Sequence, residues 1–129
     1  MAAKFTLGKE ERLKSNLTIQ DLLNEGRSVS VFPLKVYWDI SKDRQQKYPV
    51  RVAFSVPKRK LKRAVDRNLI NRRIRESYRL NKDLLYDPLR EKDLKIVMII
   101  LFLSDEFISF DSLDSVLRKL LNKLADNLP

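Results

Sequence analysis

Neither cysteine nor histidine occurs anywhere in this chain, and glycine occurs only twice, at Gly8 and Gly26. Those absences exclude zinc fingers, thiol nucleophiles, Ser-His-Asp chemistry and imidazole general bases. Two isolated glycines also leave no loop able to cradle a nucleotide phosphate, since such loops need several glycines in a short stretch. A magnesium nuclease built from carboxylates alone survives these exclusions. The acids, however, are scattered singly, as at Asp39, Asp66, Asp87 and Asp111, and read as solvated surface charge. No catalytic or metal-binding residue is therefore assigned. The opening residues, Met1 to Lys9, lack the apolar core of a signal peptide, and the longest apolar run, Ile96 to Leu103, is far too short to span a bilayer. A cytoplasmic protein without a membrane partner is expected, and the lack of cysteine fits a reducing compartment.

What the chain does have is positive charge in one place. Its 129 residues, room for a single domain over 1–129, carry 27 basic and 17 acidic side chains, a net charge of +10. Residues 58–79 alone hold Lys58, Arg59, Lys60, Lys62, Arg63, Arg67, Arg72, Arg73, Arg75 and Arg79 against Asp66 and Glu76. A solvated helix normally alternates signs to gain salt bridges, and this stretch does not. So dense a cluster is an electrostatic footprint for a polyanion.

Periodicity supplies the frame. Thr18 to Glu25 predicts a short helix, with Thr18 as cap, Ile19, Leu22 and Leu23 on one face and Gly26 as terminator. From Val29 to Ile40 the period is two, with Phe32, Leu34, Val36, Trp38 and Ile40 on one face. Pro33 marks an edge, a bulge or a split into two strands. A further strand places Val50, Val52, Phe54 and Val56 inward and Arg51, Ala53 and Ser55 outward. Pro57 stops it, and a long helix is predicted from about Leu61 to Leu85, broken at Asp87-Pro88. Leu94 to Leu103 reads as a strand buried on both faces. Leu113, Val116, Leu117, Leu120, Leu121 and Leu124 make Ser112 to Leu124 an amphipathic helix. The order α-β-β-α-β-α implies an α+β two-layer sandwich, helices against a small, mostly antiparallel sheet.

Successive helical residues turn by about 100°. On the long helix this stacks Asn68, Arg72, Arg75 and Arg79 on one face, flanks them with Arg67 and Asn71, and sets Ile70 and Ile74 opposite. Guanidinium forks match phosphate oxygens as ammonium groups do not, and asparagine can donate to a phosphate or a sugar hydroxyl. Like charges four residues apart repel by a few tenths of a kcal/mol per pair, a cost that bound phosphates would relieve. An almost purely arginine face suits a nucleic-acid backbone. It does not suit base reading in a DNA groove, where recognition helices expose mixed side chains, so no DNA partner is expected. A ribosomal or RNA-chaperone-type basic protein is the alternative reading.

The stretch Val52 to Arg79, VAFSVPKRKLKRAVDRNLINRRIRESYR, resembles the signature of the bacterial ribonuclease P protein. Ala64, Val65, Arg67, Asn68, Ile70, Arg72, Ile74, Arg75, Glu76 and Arg79 match in place. Leu13 to Ser28, ending in Gly26-Arg27-Ser28, resembles the family's opening helix, and Tyr37 falls where the family has a strand aromatic. The family commonly has arginine where Leu69 stands, lysine at Asn71 and glycine at Lys62. Lys62 and Arg73 are candidates to replace the missing cations. Aromatic residues common on the first helix appear as Ile19 and Leu23, leaving Tyr37 and Phe5 as stacking candidates.

The resemblance implies a protein that assists a catalytic RNA in removing the 5′ leader of precursor tRNA, with magnesium required by the RNA and no cofactor on the protein. It implies docking on that RNA through Lys58, Arg59, Lys60, Lys62, Arg63, Arg67, Asn68, Asn71, Arg72, Arg75 and Arg79. It also implies a leader-strand cleft between the first helix and the sheet, for which Ile19, Leu23, Lys35, Tyr37, Arg51 and Ser55 are candidates; charge plus stacking suits a single strand. Finally, it implies an unusual left-handed β-α-β crossover, against the general preference.

Overall fold

A computed structural model of the chain describes residues 7–129. The first helix, α1 (Asn16–Glu25), is followed by strands β1 (Arg27–Val31), β2 (Leu34–Ile40) and β3 (Val50–Ser55). Helices α2 (Ala64–Asn81) and α3 (Asp83–Glu91), strand β4 (Ile96–Phe102) and helix α4 (Phe110–Asp126) complete the order. The strands form one sheet in the order β1-β2-β4-β3, antiparallel except where β3 runs parallel to β4. The α+β architecture thus stands, and the long period-two stretch is split at Pro33 into a hairpin.

The core follows the pattern of apolar side chains. Leu34, Val36 and Trp38 of β2 and Val50 and Val52 of β3 face the same layer as Ile96, Met98 and Ile100 of β4. They pack against Ile70, Ile74 and Tyr78 of α2, Leu85, Tyr86 and Leu89 of α3, and the leucines of α4. Central β4 is buried along nearly its whole length, as its unbroken apolar run requires. On the second face a smaller cluster, Leu13, Leu22, Val97 and Ile99, seats α1. Ser77 and Asn81 of α2 both donate to Asp114 Oδ1 of α4, at 2.7 and 2.8 Å.

Four local expectations need correction. Ser15, not Thr18, caps α1, its hydroxyl accepting the Thr18 N–H at 3.3 Å; a cap precedes the first helical turn, and Thr18 is inside it. Phe32 is exposed rather than inward, because it sits in the turn where the alternation restarts. The long helix ends at Asn81 and restarts at Asp83. Pro88 lies inside α3 instead of breaking the chain there. A proline at this point forgoes one main-chain bond, to Leu84, while buried Leu85, Tyr86 and Leu89 hold the helix to the core.

Candidate nucleic-acid interface

Pro57 accepts from Lys60 N–H (3.0 Å) and Leu61 N–H (3.3 Å), folding the basic loop into a turn, and Leu61 is buried as its peg. Lys58, Arg59, Lys62 and Arg63 point to solvent, while Lys60 is half-buried. Arg67 is not simply displayed: its guanidinium donates to the carbonyls of Leu61 (3.0 Å) and Lys62 (2.7 Å). It therefore clamps the loop onto the first turns of α2, whose free N–H groups and dipole add positive potential there.

Along α2, Ile70, Ile74, Ser77 and Tyr78 are buried, which leaves Asn68, Arg72, Arg75 and Arg79 on the opposite arc. Those four side chains, with Asn71 and Glu76, line a groove of about 520 Å³ whose other wall is Leu7 and Arg12. Arg75 also lies over the Phe54 ring, 5.7 Å from its centroid, and Arg79 is paired with Glu76. Asn71 Oδ1 is buried without a hydrogen-bond partner among the described residues. Such an orphan acceptor costs about 1–3 kcal/mol. Arg73 does not join this row. A rotation of about 100° past Arg72 turns it toward the loop after β4, where it donates to Ile108 O at 2.7 Å and lies 4.7 Å from the Phe107 ring centroid. Arg73 lies one turn beyond Leu69 on the same side of α2, with its guanidinium engaged by Ile108 and Phe107.

The second face of the sheet is divided by α1. Ile19 and Leu23, four residues apart, share one flank of the helix; Thr18, Asp21 and Glu25 share the other. On the first side, Ile19 packs with Tyr37, Ala53 and Leu101 around the smaller apolar cluster, and Leu23 beside it is exposed. Lys35 and Ser55 flank Leu101 across the strands, and Lys35 Nζ lies 4.8 Å from the Tyr37 ring centroid. All four of Lys35, Tyr37, Ala53 and Ser55 are half-exposed, so the strip is apolar, wet and positively charged at once.

Arg51 shares a cross-strand row with Val97 and Asp39 and lies in a cleft of about 850 Å³ with Asp21, Glu25 and Asp43. Its guanidinium pairs with Asp43 at 3.0 Å. The Asp43 carboxyl is held below its ordinary value first by the Gln45 N–H and then by Arg51. Period two puts Arg51 on the α1 side of the sheet, in the row next to Ala53 and Tyr37, and the cleft that it lines is bordered by Thr18, Asp21 and Glu25 of α1. Phe5 lies outside the described residues.

Sequence reasoning missed Arg12 and the residues that fix it. Glu11 Oε2 accepts from Lys82 Nζ (2.7 Å) and from the Tyr86 hydroxyl, and Oε1 accepts the Gly8 N–H (2.9 Å). Burial pushes the Glu11 carboxyl up, but the bonds from Lys82, Tyr86 and Gly8 and the ammonium charge together hold it below its ordinary value. No local pattern announces these contacts, because the partners lie far apart in the chain. Among the described residues no helix is long and apolar enough to cross a membrane.

Residues 7–125 match the family model described as Ribonuclease P. The Ribonuclease P protein component of Porphyromonas gingivalis is 35% identical over 127 residues, a match spanning 98% of this chain and 92% of that relative. The Ribonuclease P protein component of Chlorobaculum tepidum is 30% identical over 129 residues, spanning 94% and 84%. Among solved structures, the RNase P protein of Staphylococcus aureus superposes with a TM-score of 0.70 at 25% identity, covering 88% of this chain and 94% of that one. That of Thermotoga maritima shares the fold, with a TM-score of 0.69 at 22% identity, covering 88% and 96%.

Proposed function

This chain belongs to the ribonuclease P protein family, and from that premise we propose that it is the protein subunit of a ribonuclease P, binding the catalytic RNA and the 5′ leader of precursor tRNA to promote 5′ maturation. The observation that carries the reading is the solvent-facing row Asn68, Arg72, Arg75 and Arg79, set on a helix whose other side is locked into the core. A rigid row of guanidinium groups suits a phosphate backbone, with affinity set by counterion release rather than base identity. The loop carrying Lys58, Arg59, Lys62 and Arg63, clamped by Arg67, extends the same surface toward the start of α2.

The strip of Ile19, Leu23, Tyr37, Lys35 and Ser55 is the leader-strand site in this reading. An aromatic ring beside an ammonium group, on an apolar floor, provides stacking and charge for a single strand without a fixed sequence. Arg51 borders the neighbouring cleft instead. The protein then needs no catalytic side chain: the chemistry, and the magnesium it requires, belong to the RNA. Its own contribution is to bind and orient the substrate.

The test is precursor-tRNA cleavage at low magnesium by a bacterial ribonuclease P RNA, with and without this protein. A large stimulation that disappears when the RNA is omitted is the expected result. Absence of stimulation by a folded chain would reject the subunit role and leave a basic RNA-binding protein of ribosomal or chaperone type. Cleavage by the protein alone would reject the division of labour.

A further inference from the structure

The short segment before α1 brings a cation to the groove from a second direction. Glu11 and Leu13 are buried, at 3% and 8% exposure, while Arg12 between them is exposed. Both sides of Arg12 are pinned. Leu13 N–H donates to Val52 O at 2.9 Å, Arg12 itself bridges to Val52, and Glu11 is held by Lys82 and Tyr86 from the far side of the fold. With its neighbours drawn inward, Arg12 projects into the wall facing Asn68, Arg72, Arg75 and Arg79, and it also borders the cleft beside α1. Its guanidinium makes no ion pair or hydrogen bond among the described residues.

We propose that Arg12 is a phosphate-contacting residue of the RNA interface, and that the buried cluster of Glu11, Lys82 and Tyr86 is the device that positions it. The proposal rests on the RNA-binding reading above. A row on one helix grips a backbone along one line; a fork from a separate element closes on it from across the groove. A buried ion pair is seldom more stabilising than apolar packing of the same volume, so stability alone does not account for the cluster. What it does supply is a fixed place for the segment bearing Arg12, since Glu11 and Arg12 are adjacent and cannot move independently.

The experiment compares the full chain with Arg12→Ala, Glu11→Gln, the double variant and Arg72→Ala, measuring affinity for a transcribed bacterial ribonuclease P RNA across a salt series. Tyr86→Phe is the gentler substitute if Glu11→Gln does not fold. Losing one phosphate contact lowers the salt slope by about 0.7–0.9, so a fourfold rise in salt shrinks the deficit of Arg12→Ala about threefold. Glu11→Gln is expected to weaken binding when Arg12 is present and to add nothing once Arg12 is removed, while lowering thermal stability equally in both backgrounds. An unchanged slope for Arg12→Ala beside a reduced slope for Arg72→Ala overturns the proposal and spares the RNA interface. Equal weakening by Glu11→Gln with and without Arg12, or no weakening in either, removes the positioning role. A flat salt response of the unaltered protein, with Arg72→Ala innocuous, overturns both readings.

Discussion

Glu11 and Lys82 stand 71 residues apart in the sequence and meet as a buried ion pair, 2.7 Å from Nζ to Oε2, at the elbow between α2 and α3. Lys82 ends one helix and opens the next, and Tyr86, one turn further along α3, donates to the same carboxylate oxygen. The segment preceding α1 is thereby tied to the helical layer around the edge of the sheet.

Glu11→Ala should therefore be costly. Removing one partner of a buried pair strands the other charge, a loss of about 3–5 kcal/mol. Chemical denaturation measures it; a change below about 1 kcal/mol would show that the pair contributes little.

The pH dependence of stability has a definite sign. The folded Glu11 carboxyl lies below its ordinary value of 4.5, so its contribution is present above that pH and lost as pH falls through the depressed value. Tyr78 and Tyr86 are both pushed well above the ordinary 10.0, first by burial. Their contribution is present below that pH and is lost as the solution becomes more alkaline. Thermal midpoints should plateau between these limits and fall on either side. Glu11→Gln should flatten the acid limb selectively; an identical acid limb in that variant would count against the assignment.

Arg67 and Arg72 should behave differently although the sequence pairs them. Arg72→Ala removes an exposed groove residue and should weaken RNA binding while leaving the denaturation midpoint within about 0.5 kcal/mol of unaltered stability. Arg67→Ala also frees the carbonyls of Leu61 and Lys62, at a cost of about 1 kcal/mol. Its loop should become more susceptible to protease. Indistinguishable stability and cleavage in the two variants would refute the clamp.

For Tyr37, replacement by alanine should reduce affinity for precursor tRNA more than for mature tRNA, since the proposed site takes only the leader. A stacked base is worth about 1–3 kcal/mol. Equal losses for both substrates would remove Tyr37 from that site.

Gly26 ends α1 with an ordinary negative φ, and its constraint is closeness rather than handedness: a Cβ there would sit 2.5 Å from Leu22 O. Gly26→Ala should cost about 1–3 kcal/mol, read by denaturation, and loosen the join between α1 and β1. A neutral substitution would mean that the backbone yields easily at this point.

Much of this protein was legible from residue spacing. The even-numbered apolar positions of β2, the unbroken run of β4 and the leucines of α4 each name their own burial, because period and hydrophobicity are local properties. The arc of Asn68, Arg72, Arg75 and Arg79 is likewise a consequence of helical rotation once Ile70 and Ile74 are recognised as inward. Element ends were less legible. Pro88 reads as a break, yet the packing of Leu85, Tyr86 and Leu89 outweighs one forgone hydrogen bond.

The sequence by itself determined the basic helix face and the α+β frame, because charge density and periodicity need no knowledge of what lies across the fold. Only the tertiary structure decided which partners each candidate meets. It set Arg51 against Asp43, turned Arg73 toward Phe107, used Arg67 as a clamp and brought Arg12 to the groove. Those outcomes depend on contacts between elements distant in the chain, such as Glu11 with Lys82, and distance along a sequence carries no record of distance in space.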